Sequence, residues 1–271
     1  MKSVLVHINR DSGQEARFQA ALDMVRACKG HLICVQTSPL ENYLSADPYG
    51  VTFLLGQTID EIREQEKAQR EGFEARLKAE GISWDWHCDV GSATLLLADH
   101  SWLADLVVVS TPGRNWPRRL ESPPTAADLV LRVRAPLLAV PEDYGGLDLP
   151  GLAMVAWNGS PEACHAIRAA LPLLAMAGAV VLVSVTEGSG YDFPATEAAT
   201  YLARHGIRAE MVELKPGGRT VAEVLLNEAA VRGAAWLAMG AYGHSRLRES
   251  ILGGATRDML EQSTLPLLLA H

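Results

Sequence analysis

Duplication is the feature that most limits what this chain of 271 residues can fold into. Val4-Leu5-Val6-His7-Ile8-Asn9 is matched in character by Met154-Val155-Ala156-Trp157-Asn158-Gly159-Ser160. Each is a short apolar run, and each precedes a helix-patterned stretch, 15–29 in one copy and 161–177 in the other. Ser or Asn residues stand just ahead of both, where a helix cap belongs. A second apolar strand follows in each copy, at 31–36 and 179–186. Three signals then recur in the same order. Ala104-Asp105-Leu106-Val107-Val108-Val109 answers Ala235-Trp236-Leu237-Ala238-Met239, and Ser110-Thr111-Pro112-Gly113 answers Gly240-Ala241-Tyr242-Gly243. Last, Ala135-Pro136-Leu137-Leu138-Ala139-Val140 answers Leu265-Pro266-Leu267-Leu268-Leu269-Ala270.

Continuously apolar strands separated by helices indicate parallel sheets covered on both faces. Each copy therefore reads as a doubly wound α/β domain with a five-stranded parallel sheet. The domains are placed at 1–143 and 151–271, joined by a stretch at 141–150 rich in Gly, Pro and Asp. Asn9 and Asn158 stand 149 positions apart, but Gly113 and Gly243 only 130, so the first copy carries about 19 extra residues. The excess falls around 38–57, a lid or a packing arm ahead of a charged helix at 60–80.

A net charge of −8 argues against nucleic acid or an anionic membrane as the main partner, because such binding draws on Lys and Arg. Arg114, Arg118 and Arg119 form a local basic cluster, read as a solvated loop. No apolar stretch reaches the length of a membrane span, and no signal-peptide pattern opens the chain. Cys28, Cys34, Cys88 and Cys164 make no Cys-x-x-Cys pair and read as reduced core residues of a cytoplasmic protein.

The chemistry concentrates between 240 and 256. Gly240 ends a strand, Gly243 follows, and nine residues later Gly253-Gly254-Ala255-Thr256 opens a helix expected at 256–262. Glycines let backbone N–H groups approach a phosphate closely, and a helix N-terminus adds positive partial charge. Ligands of open parallel sheets bind beyond the carboxyl ends of the strands, where this loop lies. Glycines after strands also arise simply as turns and helix starts. The loop is neither a Walker loop, since no Gly-Lys-Ser/Thr follows, nor the dinucleotide fingerprint.

The spacing Gly-x2-Gly-x9-Gly, placed after a fourth strand and before a final helix and a Pro-Leu-Leu-Leu strand, resembles the universal stress protein family. Val155-Ala156-Trp157-Asn158-Gly159-Ser160 is similar to that family's first strand and turn, and the resemblance covers both halves. It implies a tandem member with a Rossmann-like fold of the adenine nucleotide alpha hydrolase kind, whose last strands pair between the two halves. It also implies ATP or a related adenine nucleotide in the second half, magnesium arriving with it. Gly240, Gly243, Gly253, Gly254 and Ala255 would hold the phosphates, with His244 in the same loop. Val185 would lie near the base, with Met239 beside it. Asn158 stands where the family usually has Asp, and Gly254 where it usually has Ser or Thr. Thr256 offers a hydroxyl in partial compensation.

The first half departs further. Ser110 replaces the first glycine, Pro123 and Pro124 replace the third and its neighbour, and Asn9 replaces the Asp. Proline has no N–H to offer. The first half is therefore expected not to bind ATP in the family's manner, and to pair with the second or hold another ligand.

Other candidates read as structural. His87-Cys88-Asp89 cannot easily share a metal, because neighbours on a strand face opposite ways. Trp84 and Trp86 share one face and read as packing. His244 has no evident carboxylate partner for general base work, and neither a Ser-His-Asp set nor the His-x-Gly-His motif of adenylyl-transfer relatives is present. No catalytic or metal-binding residue is expected, and turnover is at most a slow ATPase. The functional expectation is a regulatory, nucleotide-binding stress-response protein, possible also as a homodimer. The alternative is a nucleotide-independent scaffold with degenerate loops.

Overall fold

A computed structural model describes residues 1–38, 52–111, 126–185, 193–243 and 254–271, with side chains of the long helix described from residue 60 onward. The first half runs β1 (Ser3–Ile8), α1 (Gln14–Cys28), β2 (His31–Ser38), α2 (Thr52–Glu80), β3 (Ser83–Val90), α3 (Ala93–His100), β4 (Leu106–Ser110), α4 (Ala126–Val130) and β5 (Leu137–Val140). The second half runs β6 (Leu152–Trp157), α5 (Pro161–Leu174), β7 (Ala179–Val185), α6 (Ala195–Arg204), β8 (Ala209–Leu214), α7 (Val221–Arg232), β9 (Trp236–Gly240), α8 (Gly254–Gln262) and β10 (Leu267–Ala270).

The ten strands among the described residues form one sheet, in the order β3-β2-β1-β4-β5-β10-β9-β6-β7-β8. Within each half the pairing is parallel, as the apolar runs require. The halves meet where β10 pairs antiparallel with β5, Leu268 opposite Leu138. Strands β5 and β10 are buried along their whole length, so the joint is also the middle of the core. Two apolar layers cover the sheet. One lies under α1, α2, α5 and α6, and the other under α3, α4, α7 and α8.

Local chemistry sets the helix ends. Ser160 caps α5 by accepting from the Ala163 amide at 3.1 Å. Thr220 and Glu223 form a reciprocal capping box on α7, which ends at Gly233 in the left-handed conformation. Helix α2 starts at Thr52, eight residues ahead of the charged stretch from which it was expected. Of the excursion at 38–57, residue 38 closes β2 and 52–57 are helical; the remainder lies outside the described residues.

Trp84 and Trp86 pack inward from β3, as their shared face suggests. The Phe73 ring lies 6.2 Å from Trp86 and 4.5 Å from Phe18. The Arg76 guanidinium stacks 4.7 Å over the Phe18 ring and pairs with Glu15, tying α2 to α1. Cys88 corrects the reading of all four cysteines as core residues: it sits on the edge strand β3 and is exposed. Cys34 is buried, and burial pushes its thiol up to about 12. The connection between the halves is packed down. Leu147 and Leu149 are buried, the Tyr144 hydroxyl donates to the Ala235 carbonyl at 2.9 Å, and the Leu147 amide donates to Asp23 at 2.9 Å.

Candidate functional site at the strand ends of the second half

Strands β6, β7 and β9 end together at one edge of the sheet, beside the start of α8. Asn158 follows β6 and is exposed. Its Oδ1 accepts from the Ser160 amide at 3.1 Å, which holds the turn and leaves the side-chain NH2 facing outward to donate. Gly240 ends β9 against the first turn of α5. A Cβ there would stand 2.6 Å from both the Ala163 nitrogen and the Glu162 carbonyl carbon, so only glycine allows this approach of strand end to helix start.

Tyr242 adopts φ 52°, and its amide donates to Thr256 Oγ1 at 3.3 Å. Thr256 is buried, so its hydroxyl braces the two ends of the glycine loop against each other. Gly254 and Ala255 are exposed in the first turn of α8, whose leading N–H groups have no carbonyl acceptor within the helix. Val185 closes β7 half-buried, and Met239 is buried one residue before Gly240. Asn158, Met239, Gly240, Gly243, Gly254, Ala255 and Thr256 thus gather where β6, β9 and α8 meet, with Val185 at the end of neighbouring β7. His244 and Gly253 lie outside the described residues.

Glu162 was not singled out from the sequence. It occupies the first turn of α5, is buried, and sets Oε2 2.9 Å from where a Cβ of Gly243 would be. A carboxylate in the first turn of a helix follows from the helix dipole, which was the available signal. Its carboxylate lies against Gly243, on the α5 side of the loop.

The matching end of the first half is filled by protein. Arg17 is buried. Its Nε donates to the His7 carbonyl at 2.6 Å, one terminal nitrogen to Ser110 Oγ at 2.6 Å, and the other to Asp11 at 3.0 Å. Asp11 and Arg17 form an ion pair with 3% and 1% side-chain exposure, so neither charge is available to a ligand. His7 is buried beside them with its Nε2 2.9 Å from Thr37 Oγ1. Burial, and then the Arg17 charge, hold that ring's pKa well below the ordinary histidine range. The glycine has also changed sides. Gly13 starts α1 where Glu162 starts α5, and Ser110 ends β4 where Gly240 ends β9. A Cβ on Gly13 would meet Ser110 Oγ at 2.4 Å. Arg114, Arg118, Arg119, Pro123 and Pro124 lie outside the described residues.

At the end of β3, His87 stacks on His100 with ring centroids 4.6 Å apart, and His100 Nε2 lies 2.8 Å from Asp89. Among the described residues no group of three His, Cys, Asp or Glu side chains could hold a metal ion. Nor does any described helix have the length and apolar character to cross a membrane.

A model of the universal stress protein family matches residues 1–141 and, separately, 153–271. Several solved structures align along nearly the whole chain, among them the following three. A universal stress protein from Archaeoglobus fulgidus DSM 4304 is 14% identical, covers 99% of this chain and 95% of its own, and gives a TM-score of 0.76. A putative universal stress protein from Pseudomonas aeruginosa UCBPP-PA14 is 16% identical over 100% and 93%, with a TM-score of 0.59. The cytoplasmic domain of a prokaryotic cation chloride cotransporter is 14% identical over 99% and 95%, with a TM-score of 0.52. No curated protein matches the chain. At these identities the solved structures speak for the fold alone.

Proposed function

The chain belongs to the universal stress protein family, with two family units end to end, and on that premise we propose that it binds ATP or a related adenine nucleotide in its second half alone. The contrast between the two sets of strand ends carries this reading. Arg17, Asp11 and Ser110 fill the first, whereas the second presents Asn158, Gly254 and Ala255 to solvent. Phosphates fit against the first turn of α8, where exposed amides and the helix dipole favour an anion. In this reading the Asn158 amide would donate to a ribose hydroxyl, and Val185 and Met239 would give the base an apolar edge. Magnesium would ride on the phosphates, since the described carboxylates form no site of their own. The role is regulatory: occupancy of the site changes the surface that the strand ends present. Cytoplasmic placement belongs to the same reading.

The alternative is a nucleotide-independent interaction protein, favoured by Asn158 and Gly254 standing where the family usually has Asp and Ser or Thr. The two readings separate when the protein is purified without added nucleotide, denatured, and the released small molecules analysed, followed by calorimetric titration with ATP. Released or titrating adenine nucleotide supports the proposal. Gly254→Asp puts a carboxylate into open space at the start of α8, where a Cβ would meet only Asp258 Oδ2, at 3.7 Å, and should abolish binding while α8 stays folded. An empty wild-type site that takes up no ATP, or unchanged binding by Gly254→Asp, overturns it.

A further inference from the structure

The antiparallel joint brings part of the first half to the second half's strand ends. Because β5 runs against β10, the start of β5 lies at the level where β10 and β9 finish. Leu137 is opposite Leu269, and Ala270 is opposite Gly240. Continuing that register by two residues sets Ala135, His271 and Ala241 in one row. The row is held by the Ala241 amide donating to the Ala270 carbonyl at 2.9 Å and by His271 Nδ1 donating to the Ala241 carbonyl at 2.9 Å. Helices α4 and α8 pack together over the same face of the sheet, Leu129 and Val130 sharing an apolar layer with Met259 and Leu260. Each helix runs against the strand that follows it, so the antiparallel pairing of β5 with β10 sets α4 against α8 and brings the turn after α4 to the level of the amino end of α8.

Arg132 and Arg134 occupy that turn between α4 and β5. Both are exposed, and neither guanidinium forms an ion pair among the described residues. The acidic groups on the two helices, Asp128, Asp258 and Glu261, lie a turn or more further in from these ends, and Glu261 pairs with Arg257 at 2.7 Å. The counterparts of Arg132 and Arg134 in the second half are Gln262 and Thr264, which are neutral and face the first half. Charge is therefore placed on only one of two equivalent turns, and it is the turn beside the open site.

We propose that Arg132 and Arg134, contributed by the first half, form the outer rim of the second half's anion site and hold the terminal phosphates of a polyphosphate ligand that begins at α8. This rests on the reading of the second half as a nucleotide site and adds a function for the first half, which completes a site it no longer has itself. Arginine suits the task, since its planar fork engages phosphate oxygens in pairs and keeps its charge at any working pH.

The test uses the full chain and three probes: ATP, adenosine and inorganic tripolyphosphate. Arg132→Gln/Arg134→Gln removes both charges without disturbing a contact of the fold. Arg204→Gln/Arg208→Gln, at the opposite ends of the second half's strands, makes the same change in net charge and serves as the control. The rim variant should bind ATP about tenfold or more weakly than the control, with adenosine binding unchanged and a shallower dependence of ATP affinity on salt. Equal ATP affinity in the two variants, or an equal loss for ATP and adenosine, overturns the rim while leaving the nucleotide site standing. If wild type takes tripolyphosphate but not ATP, and the rim variant loses it, the rim stands and the nucleotide reading falls. If wild type takes none of the three, both fall.

Discussion

A single methyl group on Gly13 tests whether the first half's strand ends are filled as tightly as described. Gly13 has φ −87° and ψ 0°, which alanine adopts without strain, so any cost comes from contact. The new Cβ would lie 2.4 Å from Ser110 Oγ and 3.0 Å from Ser110 Cβ. Rotating Ser110 away would break its 2.6 Å bond from the buried Arg17 guanidinium. Overpacking of this kind costs about 1–3 kcal/mol, and loss of a hydrogen bond to a charged group about 1.5–3. Restricting the unfolded chain returns about 0.4–1 kcal/mol. Gly13→Ala should therefore lower stability by about 2 kcal/mol, read from urea midpoints at constant slope. Ser110→Gly removes both close contacts and copies the arrangement at Gly240. On its own it destabilises, because Arg17 loses a partner. Combined with Gly13→Ala, it should give a favourable coupling of about 1–2 kcal/mol, since the methyl then enters space already vacated. Strictly additive effects in the double variant, within about 0.5 kcal/mol, would refute the exchange of the glycine between helix start and strand end.

Acid should act through His7. Its ring stays neutral in the folded protein well below the ordinary histidine range, whereas the unfolded chain takes up the proton near pH 6.5. The stability contributed by the neutral ring is present above about pH 6.5 and is lost as pH falls below it, at up to about 1.4 kcal/mol per pH unit. His7→Gln should flatten the stability profile between pH 6.5 and 5; an unchanged slope would exclude His7 as its source. Deleting residues 265–271 removes β10, baring β5 and β9 at the centre of the sheet, and the product should aggregate. A compact, monodisperse product in light scattering would show that the halves are held together elsewhere.

The order of elements was legible because buried parallel strands must be apolar on both faces, and runs such as Leu106 to Val109 or Leu267 to Leu269 have few other uses. The joint between halves followed from the resemblance, not from periodicity, since nothing in Leu137-Leu138-Ala139-Val140 names its neighbour. The glycines of the second loop were legible by spacing, but their reasons differ: Gly240 is required by the main chain of α5, whereas Gly254 stands nearly in the open. Thr256 reads as a ligand hydroxyl until Tyr242 turns to φ 52° and points its amide at it. The filling of the first half was hidden for a similar reason. Asp11 and Arg17 are six residues apart, too far for a pair on one helix face, and meet because the turn before α1 folds Asp11 back.

The antiparallel pairing of β5 with β10 also bears on mass action. Two separate chains joined edge to edge in this way would part on dilution, and any change at the seam or the sites would fall on both partners at once. Covalent linkage through the packed connection at 141–151 makes the encounter intramolecular, so the seam holds at any protein concentration. It also frees each side to accept substitutions that the other does not share. A buried arginine on one side and a surface pair of arginines reaching across from it to the other are changes that only such a one-chain pair can keep separate.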